Sequence, residues 1–411
     1  MDNLSRRRFL VVSGTAGVAA AAVATGYLTW PELQQKAAAA PLAPGTPILV
    51  LVTLYGGNDG LGAVVPYADP AYARARPDFA YTEAEVHPLG EGLGLNPAMT
   101  GLAGLWSNKQ LAIVRGVGYP RPGHSHFRSM DIWQTASPDA PVNTGWIGRW
   151  LDRTGDDPTR AVNIGSILPP LAVGAKGAAA ALPLGKGAAL PAALGAAFTG
   201  LGKPDPADTP AQAMVAASYR SERTVDSTFS ALHDGTFDDG TDEPAGGATA
   251  GGQSGLAAQL DMVSRCIKIG VPTTVYTVSL GGFDTHADEK GTQQSKLAAL
   301  DGAVSGFLRS MSGTSRAADV VVTCYSEFGC RVGANASHGT DHGTAGPMFI
   351  AGPAVRGGFY GEQPSLTDLV DADLRSTVDF RTVYGELLDK VLRTDPEPII
   401  GATAAPLGFL A

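Results

Sequence analysis

The chain has 411 residues, with 39 acidic and 30 basic side chains, a formal net charge of −9 and 44% hydrophobic residues. No basic block is available to neutralise phosphates, which argues against a nucleic-acid-binding role, and three cysteines are too few for a disulfide framework. Only 17% of the residues are charged, yet five of the seven histidines fall in three short polar segments at 124–126, 284–286 and 338–342, so the chemistry is sought there.

The chain opens with Ser5-Arg6-Arg7-Arg8-Phe9-Leu10 and an apolar stretch rich in Ala and Gly over 11–27, followed by small residues at 37–40. This is the pattern of a twin-arginine export signal with a cleavage site near residue 40. The apolar stretch carries Ser, Thr and several Gly and is short for a spanning helix, so no membrane span is expected after cleavage. The twin-arginine translocase is the expected partner during export, to the periplasm, the cell wall or the exterior. Removal of residues 1–40 leaves 26 basic and 37 acidic residues, a net charge near −11.

Residues 47–55 (PILVLVTLY) form a continuous apolar run ending in Gly56-Gly57-Asn58-Asp59-Gly60, the pattern of a central parallel strand that opens into a loop. Runs at 111–117, 273–280, 319–325 and 348–351 repeat that character. Between them, helix-period segments lie at 97–106, 126–135, 256–269 and 295–311, the last with Leu297, Leu300, Val304, Phe307 and Leu308 on one face. Strands alternating with helices define an α/β fold, a mostly parallel central sheet with helices on both faces. Polar residues at the carboxyl ends of such strands converge on one rim, where ligands bind. Two stretches break the pattern within what reads as one domain over 41–411. An Ala/Gly-rich insertion at 172–202 is expected as a flap near the rim, and 234–255 lacks the apolar residues to offset its ordering entropy, so it is expected as a flexible loop.

The candidate residues sit at those strand ends. Asp59 follows the first strand, where Asn58-Asp59-Gly60 is also an ordinary turn signal. Ser125, between His124 and His126, stands where a helix begins; it reads either as an N-cap or as a hydroxyl set beside free backbone amides and the positive end of the dipole. Its flanking histidines are candidates for base, ligand or anion-binding group. Asp284 and His286, two apart, reach one side of an extended segment and one divalent ion; the alternative is an Asx-turn with a satisfied histidine. Glu327 is a further acid, and Asp341-His342, bracketed by Gly339 and Gly343, completes the set. So many carboxylates with imidazoles at one rim call for compensating cations, and a site for one or two divalent ions resolves the charge. Cys324 and Cys330 flank the turn carrying Glu327 and are a candidate pair in an exported protein, whereas Cys266 reads as a small core residue.

Gly56-Gly57-Asn58-Asp59, Ser125-His126-Phe127 with Trp133, Gly282-Phe283-Asp284-Thr285-His286, Ser326-Glu327-Phe328-Gly329 and Thr340-Asp341-His342-Gly343 occur in that order. The ordered set resembles the bacterial domain-of-unknown-function family 1501, which is similar to a distant branch of the alkaline phosphatase and sulfatase superfamily. The resemblance implies an alkaline-phosphatase-like fold, divalent metal ions and a hydroxyl nucleophile. It makes Ser125 the nucleophile, Asp59, Asp284, His286 and Glu327 acids and ligands, and His342 the closing histidine. The superfamily usually has an Asp-His pair where this chain has Glu327-Phe328, so His126 or His338 would supply the missing imidazole. Three readings follow: a secreted metal-dependent hydrolase of phosphate or sulfate esters, a metal-independent serine esterase using Ser125 with Asp284 and His286, and a non-catalytic binding protein of the cell envelope.

Overall fold

The structure, a computed structural model, describes residues 26–27, 30–155, 157–165, 167–184, 255–401 and 403–411. Its centre is a ten-stranded sheet. In chain order the strands are β1 (Gly26–Tyr27), β2 (Ile48–Leu54), β3 (Leu111–Gly118), β4 (Ala161–Ile164), β5 (Ala180–Leu182), β6 (Val275–Leu280), β7 (Val320–Ser326), β8 (Gly346–Ala351), β9 (Gly358–Tyr360) and β10 (Val378–Asp379). Their spatial order is β1-β5-β4-β6-β2-β7-β8-β3-β9, with β10 also on β3. Only β8 runs against its neighbours β7 and β3; the other pairings are parallel.

The sheet is covered on both faces, and the alternation of β2 shows it. Ile48, Val50, Val52 and Leu54 join one core cluster with the helices Leu256–Ile269 and Glu289–Ser312, whereas Leu49 and Leu51 join another with Trp133, Trp146, Phe380 and Tyr384. Because every β2 side chain is buried, the strand carries no polar face and reads as an unbroken apolar run. The α/β class and mostly parallel sheet expected from the sequence are thus present. The helices His126–Thr135 and Leu256–Ile269 lie where their periodicity places them.

β8 departs from the uniformly parallel character of its predecessors for a local reason. The hairpin Cys330–Ala334 with Thr340–His342 follows β7 at the rim and returns the chain directly into β8. A short return of this kind joins antiparallel neighbours, because a parallel one needs a long crossover. The described part of the Ala/Gly-rich stretch, 172–184, is not a flap at the rim: Ala180, Ala181 and Leu182 are buried in β5. Small side chains allow that close strand packing. Residues 185–202 of that stretch and residues 234–254 of the loop expected at 234–255 lie outside the described residues. Cys324 and Cys330 are separate, buried free thiols rather than a pair, as is Cys266.

Candidate metal centre

The carboxyl ends of β2, β6, β7 and β3 open on the same rim, and two glycines let their loops close together. Gly56, at φ +114°, lies so near the β6 loop that a Cβ there would come within 2.5 Å of the Asp284 amide nitrogen. Gly57, at φ +72°, leaves the space that the Phe328 ring occupies, 2.3 Å from where its Cβ would stand. Such conformations and contacts are open to glycine alone. Phe328 in turn packs against the imidazoles of His126 and His342, with ring centroids 4.8 and 5.0 Å away, and walls the site on its sheet side.

Three imidazoles and one carboxylate meet above that ring. His342 Nε2 lies 2.9 Å from His126 Nε2, 2.9 Å from His286 Nε2 and 3.0 Å from Asp284 Oδ1. Asp284 Oδ1 is also 2.9 Å from His286 Nε2 and 3.5 Å from His126 Nε2. The opposite ring nitrogens fix the tautomers. His342 Nδ1 donates to the His124 carbonyl at 2.9 Å, His286 Nδ1 to the Thr340 carbonyl at 3.0 Å and His126 Nδ1 to Glu327 Oε1 at 2.8 Å. A carbonyl or carboxylate only accepts, so each Nδ1 carries a proton, and in the neutral form of each ring the lone pair lies on Nε2. Lone pairs 2.9 Å apart repel unless a proton or a metal cation lies among them. The donor set of neutral imidazoles with a carboxylate suits a divalent transition metal, and the Nδ1 bonds are the outer partners that orient such ligands. The ligand atoms of His126, Asp284 and His342 all lie within 4.8 Å of one another, and His286 adjoins the shared edge of Asp284 and His342.

The expected site residues divide accordingly. Asp284, His286 and His342, expected as ligands, lie together, and His126, expected as a catalytic group, lies with them. His338, the other candidate imidazole, lies outside this cluster and faces Asp78 at 3.2 Å. Glu327 is not placed as a ligand. It is buried behind His126, with Oε1 accepting from the Gly56 amide at 2.9 Å and Oε2 from Ser326 Oγ at 3.0 Å. That carboxylate raises the His126 pKa, mainly through its hydrogen bond, against the lowering effect of burial. Asp341 is exposed and turned aside: its Oδ1 accepts from Asn335 at 3.2 Å and stands 3.8 Å from the outer nitrogen of His286.

Asp59 does not reach the imidazole cluster either, because Arg76 holds it. Both are buried, and the guanidinium grips both carboxylate oxygens, Nη1 on Oδ2 and Nη2 on Oδ1, the latter at 2.8 Å. Arg76 is fixed from behind by the carbonyls of Val332 and Arg331, at 3.0 and 2.9 Å. Burial alone would lower its pKa, but Asp59 raises it, so the arginine is charged throughout. Asp59, Glu289 and Cys330 also lie within 4.8 Å of one another. The guanidinium already supplies the cation there, and burial with the neighbouring Asp59 pushes the Glu289 carboxyl up to about 8. Glu289 Oε1 is buried without a hydrogen-bond partner, while Thr340 Oγ1 donates to Oε2 at 2.7 Å.

Ser125 caps the helix His126–Thr135 in the ordinary way, its Oγ accepting from the Arg128 amide at 3.4 Å, and it is exposed one residue before His126. His124 turns its side chain away from the imidazole cluster: Nε2 bonds Asp373 Oδ2 at 2.6 Å. Asp373 is buried, with Arg331 Nε 3.5 Å from its other oxygen. The sequence reading missed Asp373, Arg76 and Glu289. None stands in a histidine-bearing segment; Arg76 is the C-cap of the helix Pro70–Ala75.

Fold and site together define an α/β protein with a cluster of histidines and a carboxylate, a candidate metal centre, at the ends of its parallel strands. Residues 193–397 match the model of the family described as protein of unknown function (DUF1501). The family that the motifs resemble is therefore the family that this segment matches. No curated protein matches the chain significantly. Among solved structures, the chain is similar to a protein in the alkaline phosphatase superfamily from Vibrio parahaemolyticus, at 11% identity and a TM-score of 0.39 over 89% of this chain and 69% of that one. It is also similar to the lipoteichoic acid synthase LtaP from Listeria monocytogenes, at 9% identity and 0.38 over 89% and 74%. A third is the alkaline phosphatase from the Antarctic bacterium TAB5, at 10% and 0.33 over 75% and 92%. At these values no activity, ligand or substrate passes from those proteins to this chain.

Proposed function

We propose that the protein is an exported hydrolase of phosphate or sulfate esters that works with one divalent ion held by His126, Asp284 and His342, with His286 at the same edge. The observation that carries this reading is the meeting of imidazole lone pairs beside Asp284, with every outer nitrogen committed to an acceptor. Asp284 and Glu327 bring two negative charges to that point, and a single divalent cation offsets both. When bound, such an ion would supply Lewis-acid polarisation of an ester oxygen. Asp59 has its own cation in Arg76, which favours one ion over two.

The chain's own groups would do the remainder. Ser125 is the nucleophile in this reading, set at the start of a ten-residue helix whose free amides and dipole favour a developing negative charge. His124, fixed by Asp373, stands next to it as the proton-handling group. The metal-independent esterase is less well supported, since His286 Nε2 faces His342 and Asp284 rather than a serine. The substrate is an unidentified small-molecule or polymer ester. Export rests on the paired arginines and following apolar run; no described helix is long and apolar enough to cross a membrane. The translocase is then the partner in transit.

The test is elemental analysis of natively produced protein, followed by a screen of chromogenic phosphate, sulfate and carboxyl esters before and after chelation. The expected result is stoichiometric metal and chelator-sensitive turnover of a phosphate or sulfate ester. Protein free of metal, with stability indifferent to chelators, would sink the metal reading, and metal without turnover of any ester would favour the binding protein.

A further inference from the structure

The strand β1 and the helix Trp30–Ala39 both fall inside the stretch 1–40 expected to be removed, and both are built into the fold. Leu33 is fully buried and Ala37 nearly so, within the core cluster that includes alternate residues of β2, and Trp30 packs against it. Lys36 Nζ reaches Asp157 at 3.1 Å. β1 adds to the edge of the sheet through Gly26 opposite Ala180 and Tyr27 opposite Ala181. Beyond the helix, the Leu42 amide donates to the Gly270 carbonyl at 3.0 Å, and Arg316 Nη1 holds the carbonyls of Leu42 and Ala43 at 3.1 and 2.8 Å.

A leader peptidase takes an accessible, extended segment with small residues at alternate positions. Residues 37–39 are helical and Ala37 is in the core, so they offer no such segment. Cleavage there would also withdraw Leu33 from its packing and leave a cavity. Further upstream the sequence contains Ala22-Val23-Ala24, the A-x-A pattern, preceded by an 11-residue apolar run from Val11 to Ala21 that follows Arg6-Arg7-Arg8. Those lengths match the three regions of a leader.

Resting on the export reading, we infer that the leader ends at Ala24, so that the mature chain begins at Thr25 and keeps β1 and the helix Trp30–Ala39. The small residues at 37–40 are a core-packing surface in this account, not a processing site.

The test is the N-terminal sequence and intact mass of the exported protein produced from the full chain. The expected N-terminus is Thr25. Ala24→Leu should make the precursor accumulate, whereas Ala40→Leu should leave processing unchanged. As an independent measure, a chain begun at Thr25 should melt at a higher temperature than one begun at Pro41, since only the first keeps Leu33 in the core. An exported chain that begins between residues 37 and 41, or that keeps its leader, overturns the cleavage assignment alone. A chain found only inside the cell with its leader intact overturns the export reading and this cleavage with it.

Discussion

Glu327 and His126, 201 residues apart in sequence, meet through a 2.8 Å hydrogen bond from the imidazole Nδ1 to the carboxylate. The bond aims His126 Nε2 at Asp284 and His342, so in the proposed metal site Glu327 orients a ligand and is not one itself. Replacement of either residue should therefore affect metal binding, but in different ways. His126→Ala, Asp284→Ala and His342→Ala should each abolish stoichiometric metal and remove the increase in Tm that metal confers by mass action. Glu327→Gln should leave a site that still binds, weakened about 10- to 100-fold. Asp341→Ala should bind as the parent does. Titration calorimetry with a divalent transition metal separates the three outcomes, and metal binding unaltered in Glu327→Gln would refute the orienting role.

The Arg76 and Asp59 pair predicts a stability effect with no metal in it. Arg76→Met removes one partner of a sealed ion pair and leaves Asp59 charged without compensation, so unfolding free energy should fall by about 3–5 kcal/mol. Adding Asp59→Leu should recover a large part of that loss. Urea unfolding of metal-free protein gives both values, and a single variant as stable as the parent would contradict the pairing.

Glu289 predicts the direction of one pH effect. Its carboxyl titrates at about 8 in the folded chain, against 4.5 as the ordinary value. Between those values the folded chain holds a proton that the unfolded chain has released, so this group's contribution to stability is complete below about 4.5 and is lost as the pH rises through 8. Glu289→Gln keeps the shape without the titration. The stability difference between parent and variant should move in the variant's favour across that window; a difference constant with pH would show that Glu289 is ionised throughout.

Ser125 separates chemistry from capping. Ser125→Ala should remove nearly all ester turnover if the hydroxyl is the nucleophile, with metal content intact and a stability cost of about 1 kcal/mol from the lost cap. Ser125→Gly keeps most of the capping tendency and has no hydroxyl. An active Ser125→Gly enzyme would leave the serine a purely structural residue.

Much of the fold was legible because single elements announce themselves. The apolar run at 48–54 needed no context, and the helix His126–Thr135 starts where a serine cap precedes a buried face of Met130, Ile132 and Trp133. Strands β4 and β5 went unread because four and three residues, one set among Ala and Gly, carry too little pattern. The site was legible as a set of residues but not as a set of roles. Whether Glu327 or His126 touches an ion turns on a few ångströms between loops hundreds of residues apart, which spacing does not encode. The partner of Asp59 was hidden for a similar reason: Arg76 comes from a helix end 17 residues on, and nothing in the intervening sequence signals that the two meet.

The two charge clusters differ in their access to water, and that difference sets an order of events. Arg76 and Asp59 are sealed, so their pairing is completed as the chain collapses and requires nothing from outside. The imidazole cluster instead runs from His126, whose side chain is 15% exposed, to His286 at 45%. A site open on one side can be filled after folding and emptied without unfolding. Which ion it holds would then depend on supply where the finished protein resides, because intrinsic affinity alone would always favour copper or zinc over the weaker-binding metals.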